Sequence, residues 1–205
     1  KENFKSDEIL KIPEKYFKKF GKIKYYKILS KIFSKHYEPN SIHEILGKMN
    51  FNYIITTNYD NLIEKKINAY VVSRDNDLPY HNKNTMIIKM HGDMKNRNIV
   101  LKKTDYEEYE NKFPIISTYL KGLFVTNTIL FIGYSFNDKS VQQIMEWIRN
   151  ILKSDTRKAF LVDLNSKTVI QNEKKEQLIT RIPLKVINNE YEKSLKMFLK
   201  KVYDK

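Results

Sequence analysis

Three short segments of this chain hold residue types that could do chemistry together. They are Thr56-Thr57-Asn58-Tyr59-Asp60, His91-Gly92-Asp93 and Gly133-Tyr134-Ser135-Phe136-Asn137-Asp138. An Asn amide both donates and accepts hydrogen bonds, so Asn58 could orient a water or a hydroxyl. An imidazole titrates near neutrality, so His91 could take a proton from that water. Carboxylates such as Asp60 or Asp93 could stabilise a developing positive charge. Gly92 and Gly133 would let the backbone come close to a ligand. Each segment ends an apolar run, and in open α/β sheets the strand ends line the ligand crevice.

The elements that must carry these segments alternate. Residues 1–50 read as helical, with apolar stripes over Ile9 to Phe20 and Tyr25 to Phe33. Ser41-Ile42-His43-Glu44 has the form of a capping box opening a short helix. Strands are expected at Tyr53 to Thr56, Tyr70 to Ser73, Thr85 to Met90, Asn98 to Lys102, Thr128 to Ile132, Ala159 to Val162 and Leu184 to Ile187. Helices are expected from Asn58 or Asp60 to Ile67, from Thr104 or Asp105, from Pro114 to Val125, after Asp138, from Lys174 to Arg181 and from Tyr191 to Tyr203. Arg74 to Thr85, polar and holding Pro79, reads as a loop. The helix after Asp138 shows one apolar face in Val141, Ile144, Met145, Ile148 and Ile151. This alternation predicts a Rossmann-like, doubly wound α/β fold with a mainly parallel sheet and helices on both faces. With no repeat or linker, 1–205 reads as one domain: a helical segment over 1–50 and an alternating core over 51–205.

Each motif has a plainer reading. Asn58 and Asp60 could cap a helix, and Asp138 more readily so than it could serve a site. His91 could be a turn residue beside Gly92. Gly133-Tyr134-Ser135 could be a strand-to-helix turn; it is not a nucleophile elbow, because Asn137 stands where that pattern needs Gly. His36, His43 and His81 lack comparable context, and no metal-ligand spacing is present.

Composition narrows the classes. A hydrophobic content of 41% in 205 residues suits a packed globule rather than a disordered chain. Without cysteine there are no disulfides, no thiol catalysis and no thiolate-bound zinc. No apolar run approaches the roughly 18 residues of a membrane span, and no secretory pattern opens the chain. The expected setting is cytoplasmic. The charge of +14 invites a nucleic-acid reading, but of 38 basic residues Arg74, Arg97, Arg149, Arg157 and Arg181 alone are arginine. The rest are dispersed lysines, which read as a solvated surface rather than a planar-fork recognition face.

In order and together, the three motifs resemble those of the sirtuin-like (silent information regulator-like) family, in particular its bacterial NAD-cleaving anti-phage branch. Leu101-Lys102-Lys103-Thr104-Asp105-Tyr106 looks like a further family element. The resemblance implies hydrolysis of NAD to ADP-ribose and nicotinamide, with NAD as substrate and no metal. It implies His91, Asn58 and Asp60 as the catalytic group, with Asn58 positioning the water or ribose and Asp60 the nicotinamide-side ribose or carboxamide. Dinucleotide contacts would come from Thr56, Thr57, Gly92, Gly133 and Ser135, with Asp163 or Asn165 at the adenosine ribose. Expected partners are further copies of the chain and a phage-derived or protein activator; nucleic acid is less favoured. Two departures stand out. No Gly-Ala-Gly-x-Ser loop precedes Tyr53, so the family's N-terminal central strand is expected to be removed, lost or disordered upstream of Lys1, and the chain without it is expected to bind NAD poorly or not at all. The missing cysteines argue against the zinc-bearing deacylase branch. The alternative from another class is a non-catalytic nucleotide-sensing or oligomerising module that binds nucleic acid or a protein.

Overall fold

Every residue of Met86-Ile87-Ile88-Lys89 is buried, as a strand covered on both faces requires. In the computed structural model, which describes residues 6–33, 37–134, 138–163, 179–186 and 190–204, this run forms β3 (Met86–Lys89). It is the middle of a parallel sheet ordered β1-β3-β2, with β1 at Tyr53–Thr56 and β2 at Tyr70–Val72. Complete burial of Ile87 and Ile88 contributes about 1.5–3 kcal/mol each. A second parallel sheet runs β4-β5-β6, from Leu130–Ile132, Ala159–Asp163 and Ile179–Pro183. The mainly parallel α/β architecture read from the alternation is therefore present, as two three-stranded sheets among the described residues.

The chain divides into two compact units, Lys1–Ser117 and Thr118–Lys205. The first sheet belongs to the first unit, together with α1 (Ser6–Phe33), α2 (Ser41–Lys48), a 3₁₀ turn (Asp75–Tyr80), α3 (Lys103–Glu107) and α4 (Tyr109–Lys112). The boundary falls inside α5 (Pro114–Thr126). The second unit holds the second sheet with α6 (Lys139–Leu152) and α7 (Tyr191–Tyr203). Asp138 caps α6, its carboxylate accepting from the Val141 N–H at 3.1 Å, and the helix buries Val141, Ile144 and Ile148. Ile151, at the end of the expected stripe, is exposed. No helix among the described residues is long and apolar enough to cross a membrane.

In α1 the two apolar stripes are separated by a kink at Gly21, whose φ of 75° suits a residue without a Cβ. The second half of α1 buries Tyr25, Tyr26 and Leu29 with Ile99. Polar contacts tie α1 to α3. Glu14 accepts from the Thr104 hydroxyl at 2.7 Å, and the Lys102 ammonium lies 4.6 Å from the centre of the Phe17 ring. Beneath these contacts the buried Asp105 carboxylate accepts from Lys102 Nζ at 2.6 Å, from Lys112 Nζ at 2.7 Å, and from the N–H groups of Leu101 and Lys102.

Several elements differ from expectation. The cap of α2 is Asn40, not Ser41: its Oδ1 accepts from Ile42 N–H while His43 Nδ1 accepts from Asn40 N–H. Residues 61–67 form successive turns rather than a helix. The 98–102 run forms no strand; Ile99 and Val100 are buried, with Val100 N–H donating to the His91 carbonyl. The strand expected at 184–187 lies instead at Ile179–Pro183, where it pairs with β5, so residues 179–181 are not helical. The remainder of the expected 174–181 helix, with Ile187, lies outside the described residues.

The charge pattern sets a pH window. Burial acts to raise the pKa of Asp105, but hydrogen bonds from Lys102, Lys112 and the backbone outweigh it and hold the carboxyl below its usual range. At Glu14, burial is likewise outweighed by Thr104 and Lys18. A depressed carboxyl gives its full stabilisation above its unfolded value of about 4 and loses it as pH falls through the folded value. Tyr25 is shifted the other way, by burial first and then by the Asp105 charge. Its stabilising effect is complete below an unfolded pKa of about 10 and disappears as pH rises through the folded value. The expected Tm is flat from about pH 5 to 9 and drops on both sides. A Tm that kept rising below pH 4 in thermal denaturation would contradict this.

Candidate active site at the strand ends of the first sheet

The register of the first sheet sets the geometry. Thr56 pairs with Lys89, and the Met90 N–H donates to the Thr56 carbonyl at 3.1 Å. Asn58 and His91 therefore each stand two residues beyond the last paired positions, at the same end of adjacent parallel strands. Thr56 accepts from the Asn58 N–H through Oγ1 at 3.1 Å, which turns the chain as it leaves β1. Thr57 beside it is half-buried, and Asn58 itself is exposed. Tyr59 secures the segment: its hydroxyl donates to the Val100 carbonyl at 2.6 Å, and its ring packs on Phe33. Asp60 Oδ1 accepts from the Leu62 N–H at 3.0 Å, a local turn rather than a helix cap.

His91 is 2% exposed. Its ring meets Tyr106 edge-on at 5.3 Å between centroids and Tyr109 at 6.4 Å. The turn that follows is held to the end of β2. Asn98 Nδ2 donates to the Ser73 carbonyl at 2.6 Å, and Asn98 Oδ1 accepts from the Asp93 N–H at 3.0 Å. The Asp93 carboxylate closes its own turn, taking the Asn96 N–H at 2.7 Å and the Asn96 amide at 3.3 Å. Gly92 has φ of 69°, and a Cβ there would fall 2.4 Å from the Asn98 carbonyl oxygen. Gly92→Ala combines that backbone clash with a left-handed conformation that alone costs about 1–2 kcal/mol. The variant is expected to be destabilised by more than that, read as a lower denaturant midpoint; an unchanged midpoint would contradict the tight approach.

A cavity of about 840 Å³ opens beyond the ends of the three strands. Its lining includes three aromatic residues, Phe33, Tyr37 and Tyr59. It also includes Asp60, Glu64, Arg74, Asp77, Lys89, Asp93 and Asn96. A lining of aromatic rings and charged groups suits a ligand that has both a flat ring and hydroxyl groups or a cation. The cavity reaches Asp60 and Asp93, the neighbours at two residues' distance of Asn58 and His91; neither Asn58 nor the His91 ring lines it. Arg74 and Asp77 hold one wall, with guanidinium and carboxylate 2.7 Å apart. Burial would raise the Asp77 pKa, but the Arg74 side chain and the Ser73 and Arg74 N–H groups prevail and lower it.

In the second unit Gly133 follows β4 directly, exposed and with φ of 62°, and Asp163 ends β5. Asp163 is buried, with Arg181 Nη1 3.5 Å from its carboxylate. Ser135 and Asn165 lie outside the described residues. No group of acidic or histidine side chains among the described residues could hold a metal ion. Sequence reasoning missed Lys89, Glu64, Arg74, Asp77 and Tyr109. The one signal for Lys89 was a charge within an otherwise apolar strand.

The family model described as the SIR2-like domain matches residues 52–187. Defense-associated sirtuin 2 of Bacillus subtilis is 33% identical over 206 residues, covering 94% of this chain and 20% of that protein. NAD(+) hydrolase ThsA of Cytobacillus dafuensis is 32% identical over 161 residues, covering 75% of this chain and 33% of that protein. NAD(+) hydrolase ThsA of Enterococcus faecium is 34% identical over 144 residues, covering 66% of this chain and 30% of the relative. The chain thus spans between a fifth and a third of the length of these curated relatives.

Proposed function

The chain belongs to the SIR2-like domain family, and from that premise we propose that it hydrolyses NAD to ADP-ribose and nicotinamide in bacterial anti-phage defence. The observation that carries the reading is the register of β1 on β3, which brings Asn58 and His91 to one end of two adjacent strands beside a cavity bordered by Asp60.

In this reading the N-glycosidic bond between nicotinamide and ribose breaks, and its electron pair leaves with the ring, which becomes neutral nicotinamide. Water supplies the oxygen that bonds to the anomeric carbon. Asn58 holds that water or a ribose hydroxyl through its amide. His91 accepts the water's proton. Asp60, fixed by the Leu62 N–H, offers negative charge where the ribose becomes cationic. Positioning does most of this work, since reacting groups held in a near-attack pose gain far more than groups that must find one another. NAD is the partner, and an oligomer with a phage-derived or protein activator is part of the same proposal.

The test is nicotinamide release from NAD by the intact protein, alone and in extracts of phage-infected cells. Wild type is expected to release nicotinamide and ADP-ribose in equal amounts, and Asn58→Ala to do so about 10²-fold more slowly. Unchanged NAD under both conditions would overturn the reading.

A further inference from the structure

Lys89 carries a charge where β3 otherwise holds Met and Ile, and it is only 3% exposed. A buried ammonium is costly unless its donors find acceptors. Lys89 Nζ donates to the Asp60 carbonyl at 2.5 Å, to Glu64 Oε1 at 2.8 Å and, more weakly, to the Tyr59 carbonyl at 3.4 Å. Glu64, itself largely shielded, supplies the opposite charge. Two of the three acceptors are thus backbone groups of the residues immediately after Asn58. The donor stands two residues before His91.

We propose that Lys89 is the positioning residue that fixes the Asn58–Asp60 segment against His91, with Glu64 as its counter-charge. The assignment rests on the NAD-hydrolysing reading of this site. A buried ion pair is weak support for stability, because well-packed apolar residues of similar volume do as well or better. What Lys89 provides that Met or Ile would not is a donor set reaching across from one candidate-bearing strand to the chain leaving the other. The Tyr59 hydroxyl and the Thr56 hydroxyl fix neighbouring points of the same segment, but neither touches the Asp60 carbonyl. Lys89 and Glu64 also line the cavity, but the ammonium donors are taken by the Tyr59 and Asp60 carbonyls and by Glu64, so Lys89 acts through the segment that carries Asn58 and Asp60.

Lys89→Met alone leaves Glu64 without its counter-charge and can fail to fold, so the decisive variant of the intact protein is Lys89→Met with Glu64→Leu. It removes both charges and is expected to keep the wild-type Tm. Its kcat for NAD is expected to fall about 10²-fold at saturating NAD, a loss of alignment that persists whatever the altered cavity wall does to KM. Amide hydrogen exchange at Tyr59 to Leu62 is expected to speed up about tenfold while β3 amides keep their protection. Wild-type kcat in the double variant, or unchanged exchange at Tyr59 to Leu62, overturns the proposal. If wild type itself leaves NAD intact, the functional reading falls, and the exchange rates still decide whether Lys89 anchors the segment.

Discussion

Replacing His91 with alanine is expected to lower nicotinamide release by about 10²- to 10⁴-fold, the usual contribution of a positioned general base. The imidazole is enclosed by Tyr106 and Tyr109 rather than exposed to solvent. Removing it therefore deletes aromatic contacts as well as a proton acceptor. The two effects separate cleanly: lost packing lowers Tm, whereas lost base chemistry lowers kcat at a temperature where the variant is folded. His91→Gln keeps much of the bulk and polarity without a ring nitrogen that can accept the proton, so it is expected to restore Tm in part and activity hardly at all. A His91→Ala protein that cleaves NAD at the wild-type rate contradicts the assignment.

The largest stability effect is expected at Asp105. Its carboxylate is 3% exposed and holds two ammonium groups and two backbone N–H groups. Asp105→Asn keeps the shape but replaces the anion with a neutral amide. Breaking a buried pair by removing one partner costs about 3–5 kcal/mol, because the remaining charge is left uncompensated. That is a large part of the roughly 5–15 kcal/mol by which a domain is stable. Lys102 also stacks on Phe17 and Tyr25, so the loss should spread into the packing of α1 on α3. The exposed pair Lys103–Glu107 is the control: Glu107→Gln is expected to cost less than about 1 kcal/mol. Chemical denaturation of the three proteins checks the contrast, and equal midpoints would contradict it.

Much of the architecture was legible in the sequence because apolar period and local chemistry agree there. The apolar runs read as strands at Tyr53 to Thr56, Thr85 to Met90, Thr128 to Ile132 and Ala159 to Val162 all hold parallel strands, within one or two residues of the expected bounds. The stripe from Val141 to Ile148 and the Asp138 cap marked α6 in the same way. The 98–102 run behaves differently. Ile99 and Val100 carry the burial of a strand, yet Ile99 packs with the aromatic residues of α1, Val100 N–H donates to the His91 carbonyl, and neither joins a ladder; burial alone does not specify a sheet partner. Residues 61–67 had a cap and helical spacing, but Glu64 is drawn to Lys89, a partner 25 residues away that no local pattern encodes. The candidate groups themselves stood out because compact polar residues at strand ends are visible in one dimension. The cavity wall was not, since Glu64 and the local Arg74–Asp77 pair come to one cavity only through the order β1-β3-β2.

In the proposed reaction Asn58 and His91 act on one bond of one substrate. A double-mutant cycle on kcat/KM for NAD in the intact protein tests this most directly, comparing wild type, Asn58→Ala, His91→Ala and the double variant. Groups that act as a unit give a double variant little slower than the slower single variant, and that is the result expected here. Losses that multiply in full would mean that the two residues work independently, and the shared site would have to be abandoned.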